Sequence, residues 1–120
     1  MSKEKRVLIA EDEVLVARYL VMELEKAGHT VCAFVASGEE AVQQAGVHHP
    51  DCLIMDINLN GAVNGIDAVE KIRETMKIPV IFMTGYTRGE FYEAARRLNP
   101  AAYLKKPIET DELISILNRL

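Results

Sequence analysis

The stretch Asp51-Cys52-Leu53-Ile54-Met55-Asp56 decides the fold. Its apolar run at 53–55 is typical of a short strand that is covered on both faces of a sheet. Asp56 follows at the point where this strand is expected to leave the sheet, and residues 57–61 have the composition of a loop. Because open α/β sheets bind ligands at the carboxyl ends of their strands, Asp56 is a candidate site residue.

Strand-like apolar runs alternate with helical patterns in both directions from this stretch. The predicted strands are Arg6–Ala10, Thr30–Phe34, Leu53–Met55, Pro79–Met83 and Ala101–Leu104. The predicted helices are Val14–Ala27, a second from Ser37 to about Gly46, a third from about Asn64, a fourth from Thr87, and a fifth from about Thr110 to the end. This alternation predicts an α/β fold, a doubly wound five-stranded parallel sheet with right-handed crossovers. The strand order 2-1-3-4-5 is one of its two common arrangements.

Helix limits and inward faces are predicted as well. The runs Ser37-Gly38-Glu39-Glu40 and Thr87-Arg88-Gly89-Glu90 match the capping box that starts a helix, and Gly28 suits the left-handed residue that ends one. Gly61 and Gly65 are expected to supply positive φ angles in the loop after Asp56. The positions expected to face the core are Val16, Leu20, Leu24, Ala27, Ile66, Val69, Ile72, Met76, Phe91, Ala95, Leu98, Leu113, Ile116, Leu117 and Leu120.

Composition and charge exclude several classes of protein. The chain has 120 residues, the length of one domain, and residues 1–120 contain no linker or repeat. Its net charge of −4 offers no electrostatic case for nucleic-acid binding. No apolar run approaches the roughly 20 residues of a membrane span. Because the N-terminus runs straight into a strand without a signal peptide, Cys32 and Cys52 are expected to be buried, reduced thiols in a cytoplasmic protein.

Polar groups stand at the ends of four predicted strands. Glu11 and Asp12, Asp56, Thr84, and Lys106 should meet at one edge, because all carboxyl ends of a parallel sheet lie on the same side. Three carboxylates at about 4 Å repel one another by roughly 1 to 4 kcal/mol per pair. Lys106 supplies one compensating charge, and an oxygen-only ligand set suits Mg²⁺ for the remainder.

This arrangement suits phosphoryl chemistry. A carboxylate such as Asp56 can act as a nucleophile and form an aspartyl phosphate. Thr84 could then donate a hydrogen bond to one phosphoryl oxygen while Lys106 pairs with another. Singly, each group also has an ordinary explanation, as an acidic turn, a strand-end hydroxyl or a solvated lysine. Four such coincidences at four strand ends are improbable, which favours one shared site.

In four motifs the chain resembles the receiver domain of two-component response regulators, a family that includes single-domain chemotaxis regulators. The motifs occupy residues 7–13, 51–56, 79–85 and 103–107, and the resemblance covers essentially the whole chain. It implies a flavodoxin-like (βα)5 fold. It also implies a signalling role: a sensor histidine kinase or phosphotransfer protein would donate a phosphoryl group from a phosphohistidine to Asp56. Such a domain is a switch and not a metabolic enzyme.

The resemblance further assigns roles to the surrounding residues. Asp12 would bind Mg²⁺ directly, Glu11 would act on it through water, and Asp56 and the main-chain carbonyl of Asn58 would complete the protein ligands. Thr84 and Lys106 would contact the phosphoryl oxygens, and the Lys106-Pro107 peptide bond would be cis. Tyr103 would be the switch aromatic that turns inward when Thr84 moves. The fourth helix, fifth strand and fifth helix would form the output face, through which a homodimer could assemble.

Three positions depart from the family pattern. Glu11 stands where the family often has Asp, which keeps the charge and lengthens its reach. The loop after Asp56 lacks the Met-Pro turn of many members and is expected to be about one residue longer. Tyr86, two residues past Thr84, is expected to shield the phosphoryl group.

Other functions remain open on the residues alone. A phosphatase of the haloacid dehalogenase type needs a second Asp two residues after the nucleophile, where this chain has Asn58. A nucleotide or flavin binder needs a phosphate-binding loop after the first strand, and the acids at 11–13 would repel an anion there. A receiver-like module used only for docking, without phosphorylation, is the remaining alternative.

Overall fold

Strands and helices alternate through the described residues, 4–59, 61–85 and 89–120, of a computed structural model. The elements are β1 (Arg6–Ala10), α1 (Val14–Lys26), β2 (Thr30–Val35), α2 (Gly38–His48), β3 (Cys52–Asp56), α3 (Gly65–Arg73), β4 (Val80–Thr84), α4 (Glu90–Arg97), β5 (Ala102–Lys105) and α5 (Thr110–Arg119). The five strands form one sheet in the order β2-β1-β3-β4-β5, and every neighbouring pair is parallel. The predicted fold class and strand order are confirmed.

Helices cover both faces of the sheet, which explains why the central strands are apolar without alternation. On one face, Leu8, Leu53 and Met55 pack with apolar residues of α2 and α3. On the other face, Ile9 and Ile54 pack with apolar residues of α1 and α5. Each central strand therefore contributes to two cores, and its position in the sheet is fixed from both sides.

Several predicted helix limits need correction. The second helix does not end near Gly46 but continues to His48, because the first left-handed residue is His49, with φ 47°. His48 is consequently a helical residue, and its ring pairs with the Gln44 side chain at 3.0 Å. The side chain of Ser37 accepts the predicted capping hydrogen bond from the Glu40 N–H.

The predicted start of the fourth helix is wrong, and its predicted inward face is confirmed only in part, because Ala95 is buried and Leu98 packs against the core. Thr87, the expected cap, lies outside the described residues, and α4 begins at Glu90 with Gly89 as its N-cap. Phe91 is 53% exposed instead of facing the core. Leu120, expected on the buried stripe of the last helix, is also exposed, because α5 ends at Arg119.

A β-bulge interrupts the pairing of β1 with β2. Val7 is opposite Val31 and Leu8 is opposite Ala33, so Cys32 is an extra residue on β2. Its thiol is only half-buried and lies 3.4 Å from the Val7 carbonyl, contrary to the expected burial. Cys52 is buried as predicted, and burial raises the pKa of its thiol to about 12. Both cysteines are free, as expected.

The loop after β3 returns closely over the strand end. Gly61 has the predicted positive φ, 107°, but Gly65 does not and is instead the first residue of α3. A Cβ atom on Gly65 would lie 2.1 Å from the Asp56 carbonyl oxygen. The absence of a side chain therefore allows α3 to start directly against the end of β3, and the Asn64 side chain caps that start.

We expect Gly65→Ala to lower the free energy of unfolding by about 1–3 kcal/mol, because the backbone at Asp56 must shift to admit the methyl group. Gly46→Ala is the matched control. A Cβ atom there meets no heavy atom within 4 Å, and the change should stabilise α2 by about 0.5–1 kcal/mol. Urea unfolding of the two variants measures both effects, and equal stabilities would contradict the close approach at Gly65.

Candidate functional site

Four strand ends converge at the carboxyl edge of the sheet. Asp56 is the last residue of β3 and Thr84 is the last residue of β4, while Glu11 and Lys106 directly follow β1 and β5. The Lys106 N–H donates to the Thr84 carbonyl at 2.7 Å, and the Glu11 N–H donates to the Val35 carbonyl at 2.9 Å. These bonds continue the sheet pairing past the strand ends and hold the side chains over one place.

The ammonium of Lys106 lies at the centre of this cluster. Its Nζ donates to both carboxylate oxygens of Glu11, at 3.0 and 2.9 Å, and to Oδ2 of Asp56 at 2.9 Å. Glu13 Oε1 lies 4.0 Å away and is more exposed. In this geometry Lys106 is the counter-charge of the Glu11 and Asp56 carboxylates. The Lys106-Pro107 peptide bond is cis, as the resemblance implied.

The Asp56 carboxylate is only 3% exposed, yet both of its oxygens are engaged. Oδ1 accepts a hydrogen bond from the Asn58 N–H at 3.0 Å, and Oδ2 accepts from Lys106. The carboxylate lines a cavity of about 430 Å³ together with Asp12, Glu13, Asn58, Gly85 and Lys106. A group that enters this cavity meets a carboxylate whose orientation is already fixed.

Burial raises the pKa of the Glu11 carboxyl from its ordinary 4.5 to about 7. The side chain is 1% exposed, and removal from water is the largest cause; the hydrogen bond from Lys106 lowers the value and the Asp56 charge raises it. For Lys106 itself, burial lowers the pKa, but the hydrogen bonds and charges of Asp56 and Glu11 raise it more. The ammonium therefore stays charged across the physiological range.

The cluster has the donor set of a magnesium site. One carboxylate oxygen from each of Glu11, Asp12 and Asp56 can be chosen so that all lie within 4.8 Å of one another. Hard oxygen ligands suit Mg²⁺, which keeps several waters, and Asp12 is partly exposed, which leaves room for them. These residues fit the ion. The Asn58 carbonyl as a further ligand stays a prediction; Asn58 lines the same cavity.

Thr84 and Tyr103 meet beside this cavity. The Thr84 side chain is 2% exposed and hydrogen-bonds the Tyr103 hydroxyl. Burial raises the pKa of that hydroxyl, and the bond with Thr84 opposes the shift. Tyr103 is half-buried and turned toward Thr84, so the two predicted switch residues are in contact. Tyr86, the predicted shield, lies outside the described residues.

Comparison with known proteins shows the family to which the sequence belongs. The sequence matches the family described as the response regulator receiver domain over residues 7–118. The chain belongs to this family. That match gives no support to a phosphatase of the haloacid dehalogenase type or to a nucleotide or flavin binder. A module that docks without phosphorylation is not favoured either. Receiver domains are signalling modules that generally bind Mg²⁺ at an acidic pocket and are phosphorylated by histidine kinases.

Individual relatives are response regulators of several kinds. Transcriptional regulatory protein PdtaR of Mycobacterium tuberculosis is 36% identical over 110 residues, which are 92% of this chain and 53% of that protein. Two-component response regulator PhoP of Pseudomonas aeruginosa is 32% identical over 118 residues, covering 96% of this chain and 51% of that protein. The receiver domain thus spans about half the length of these relatives.

Solved structures show the same fold. The signal receiver domain of a modulated diguanylate cyclase from Desulfovibrio desulfuricans G20 matches with a TM-score of 0.91 and 35% identity, covering 98% of this chain and 93% of that one. The receiver domain of Erythrobacter litoralis PhyR matches with a TM-score of 0.84 and 29% identity, covering 97% and 88%. In the described ranges, none of the helices has the length and apolar character required to cross a bilayer.

Sequence reasoning missed two contacts of this receiver domain. It did not predict that Glu11 binds Lys106 through both oxygens, although a Glu in a position often held by Asp indicated a longer reach. It also did not single out Tyr92, whose ring packs edge-on against Tyr103 with centroids 4.6 Å apart. The predicted phase of the fourth helix had placed Phe91 inward instead.

The buried carboxyl of Glu11 should make stability depend on pH. Its pKa is raised in the folded state, so the native chain binds the proton more tightly than the unfolded chain does. The resulting stability is present at low pH and is lost as pH rises from about 4.5 to about 7. Between pH 4.5 and 8, the free energy of unfolding of the wild type should fall by on the order of 3 kcal/mol relative to that of Glu11→Gln. Urea unfolding across this range measures the difference, and a constant difference would contradict the raised pKa.

Proposed function

We propose that Asp56 of this receiver domain accepts a phosphoryl group from a phosphohistidine on a sensor histidine kinase or a phosphotransfer protein. The supporting observation is the Asp56 carboxylate itself, nearly buried at the wall of an open cavity with Lys106 Nζ at 2.9 Å. A buried carboxylate held beside one ammonium and two further acids is costly to fold without a function that uses it.

The positions of the side chains support the following course for the transfer. An Asp56 oxygen attacks phosphorus, a new O–P bond forms, and the N–P bond to the donor imidazole breaks with its electron pair returning to nitrogen. The Lys106 ammonium can shift from the carboxylate to a phosphoryl oxygen, where its charge offsets the developing negative charge. The Thr84 hydroxyl can donate to another phosphoryl oxygen.

Asp12, Asp56 and the Asn58 carbonyl would hold Mg²⁺ directly, and Glu11 would act on it through water. When bound, the ion supplies positive charge to the phosphoryl oxygens during transfer. Glu11 must be ionised to act on the ion. The cavity must also admit the donor histidine, while the Asn58 N–H keeps Oδ1 of Asp56 oriented.

The contact between Thr84 and Tyr103 supports a proposal for the output. We propose that Thr84 moves toward the phosphoryl group, that Tyr103 follows, and that the face formed by α4, β5 and α5 changes for a partner, an output domain or a second copy of the chain. We also propose that residues 1–120 act as one cytoplasmic receiver domain that binds no nucleic acid itself, in accord with the net charge of −4.

Phosphoryl labelling tests this function. We expect acetyl phosphate with Mg²⁺ to add one phosphoryl group as a hydroxylamine-sensitive acyl phosphate, and chelation of the metal or Asp56→Asn to abolish it. Asp51→Asn is the matched control, because Asp51 lies just before the other end of β3 and its carboxylate accepts from the Arg6 N–H. Intact-mass spectrometry follows the adduct. Labelling of Asp56→Asn, or none of the wild type, would favour a docking-only module.

An apolar groove beside the site offers a place for the phosphohistidine donor. It measures about 530 Å³, and its lining includes Leu15, Tyr19 and Pro107 as well as Glu13 and Lys106 of the site itself. Leu15 and Tyr19 are 82% and 50% exposed and line the same groove, and an exposed apolar patch of this kind marks an interaction surface. We propose that an apolar helical face of the donor packs against α1 here, which would bring its histidine to the adjoining cavity.

Leu15→Glu should therefore slow phosphoryl transfer from a phosphohistidine protein by about tenfold or more, a change of about 1.4 kcal/mol in the encounter. Labelling by acetyl phosphate should be unchanged, because the small donor needs no docking surface. Val47→Glu is the control, a 64% exposed apolar residue on α2. The measurement is the rate of phosphoryl transfer from an autophosphorylated histidine kinase. The kinase used is the one that labels the wild type fastest. An equal loss in both variants would count against docking on α1.

A further inference from the structure

Two tyrosines and an arginine form a continuous stack that leads from Thr84 to α4. The Tyr103 hydroxyl hydrogen-bonds Thr84, and the Tyr103 ring meets the Tyr92 ring edge-to-face, with centroids 4.6 Å apart and an interplanar angle of 89°. The guanidinium carbon of Arg96 lies over the Tyr92 ring, 5.6 Å from its centroid. This stack, Thr84-Tyr103-Tyr92-Arg96, joins the candidate phosphoryl site to the output helix.

The helix at the end of the stack is tied to α3 at its C-terminal end. All residues of α4 are described, and Ala95 is the one that is fully buried. At the C-terminal end, the Arg73 guanidinium donates to the Leu98 carbonyl and, at 3.2 Å, to the Ile78 carbonyl, which ties α4 to the end of α3. At the N-terminal end, Gly89 has a φ of 101° and provides no side-chain cap.

Tyr92 contacts the sheet from the first turn of α4, through Tyr103 of β5, whereas the smaller Ala94 and Ala95, in the next turn, pack against the core. Its neighbour Phe91 is 53% exposed, so it does not anchor the helix. A change in the position of Tyr103 must either break the edge-to-face contact with Tyr92 or carry the start of α4 with it. Because aromatic pairs of this geometry stabilise their arrangement beyond simple burial, the second outcome is favoured.

We propose that Tyr92 is a positioning residue that holds Tyr103 inward against Thr84, so that α4 pivots about its Arg73 anchor when Thr84 moves. The inference rests on the proposed function of Thr84 and Tyr103 as a switch and adds the element that transmits it. Because such coupling is reciprocal, a partner that binds the first turns of α4 and holds Tyr92 in place would also favour the inward position of Tyr103.

Fluorine NMR on the full chain labelled with 3-fluorotyrosine tests the stack directly. The chain has four tyrosines, so four signals are expected and each is assigned by a single Tyr→Phe replacement. Broadening by a neutral gadolinium chelate reports how far the Tyr103 ring is open to solvent, independently of ring-current shifts. The Tyr19 signal, from exposed α1, serves as the internal reference.

Without any phosphodonor, Tyr92→Leu should raise the outward population of Tyr103, and hence its broadening, by about twofold to tenfold, the range that an aromatic pair contributes. Tyr92→Phe keeps the ring and should match the wild type. Arg96→Ala should act in the same direction more weakly, with Arg97→Ala on the same helix as its control. If Tyr92→Leu does not fold, the comparison of Arg96→Ala with Arg97→Ala is the test.

Unchanged broadening in Tyr92→Leu, or equal effects of Arg96→Ala and Arg97→Ala, would overturn the inference. Acetyl phosphate labelling of the wild type in the same preparation distinguishes a failure of the stack from a failure of phosphoryl transfer to Asp56. A labelled wild type with an unresponsive Tyr103 refutes the stack and leaves phosphoryl transfer intact. An unlabelled wild type refutes phosphoryl transfer, whatever the fluorine signals show.

Discussion

A single ammonium group, that of Lys106, holds the functional edge of this receiver domain together. It binds two carboxylates, Glu11 and Asp56, that are almost completely buried, and no other basic side chain within 4.0 Å neutralises them among the described residues. Breaking such a pair leaves a charge uncompensated away from water, which is far more costly than losing a surface ion pair. The same arrangement is poised for chemistry, since a phosphoryl group can replace the carboxylate oxygens as the partner of Lys106.

The sheet order explains why these charges meet. β1 and β3 are neighbours and β4 lies next to β3, so Glu11, Asp56 and Thr84 project from adjacent strands. Lys106 comes from beyond β5, at the sheet edge, and reaches across Thr84 to the acids. Helices on both faces fix the central strands rigidly, whereas α4 has one buried side chain. The rigid part therefore orients Asp56, the nucleophile that we propose, and we propose that the more lightly held α4 reports its state.

The sequence predicted the sheet, its order and the convergence of Glu11, Asp12, Asp56, Thr84 and Lys106, because strand patterns and strand-end polar residues are local signals. It did not predict what depends on packing between distant elements. Gly65 looked like a turn glycine, but its role is to admit the Asp56 carbonyl. Phe91 looked inward by spacing alone, but it is exposed, and Tyr92 contacts Tyr103 instead. Cys32 sits on a bulge that no residue pattern marked.

The most direct test of the central claim is the titration of the Lys106 ammonium, followed by the ¹³Cε signal of labelled lysine. We expect a pKa of Lys106 above the ordinary 10.5 in the wild type, because the carboxylates of Asp56 and Glu11 outweigh the effect of burial. We also expect this pKa to be lower in Asp56→Asn and in Glu11→Gln than in the wild type. A Lys106 signal that titrates at the same pH in the wild type and in both variants would contradict the shared ion pair.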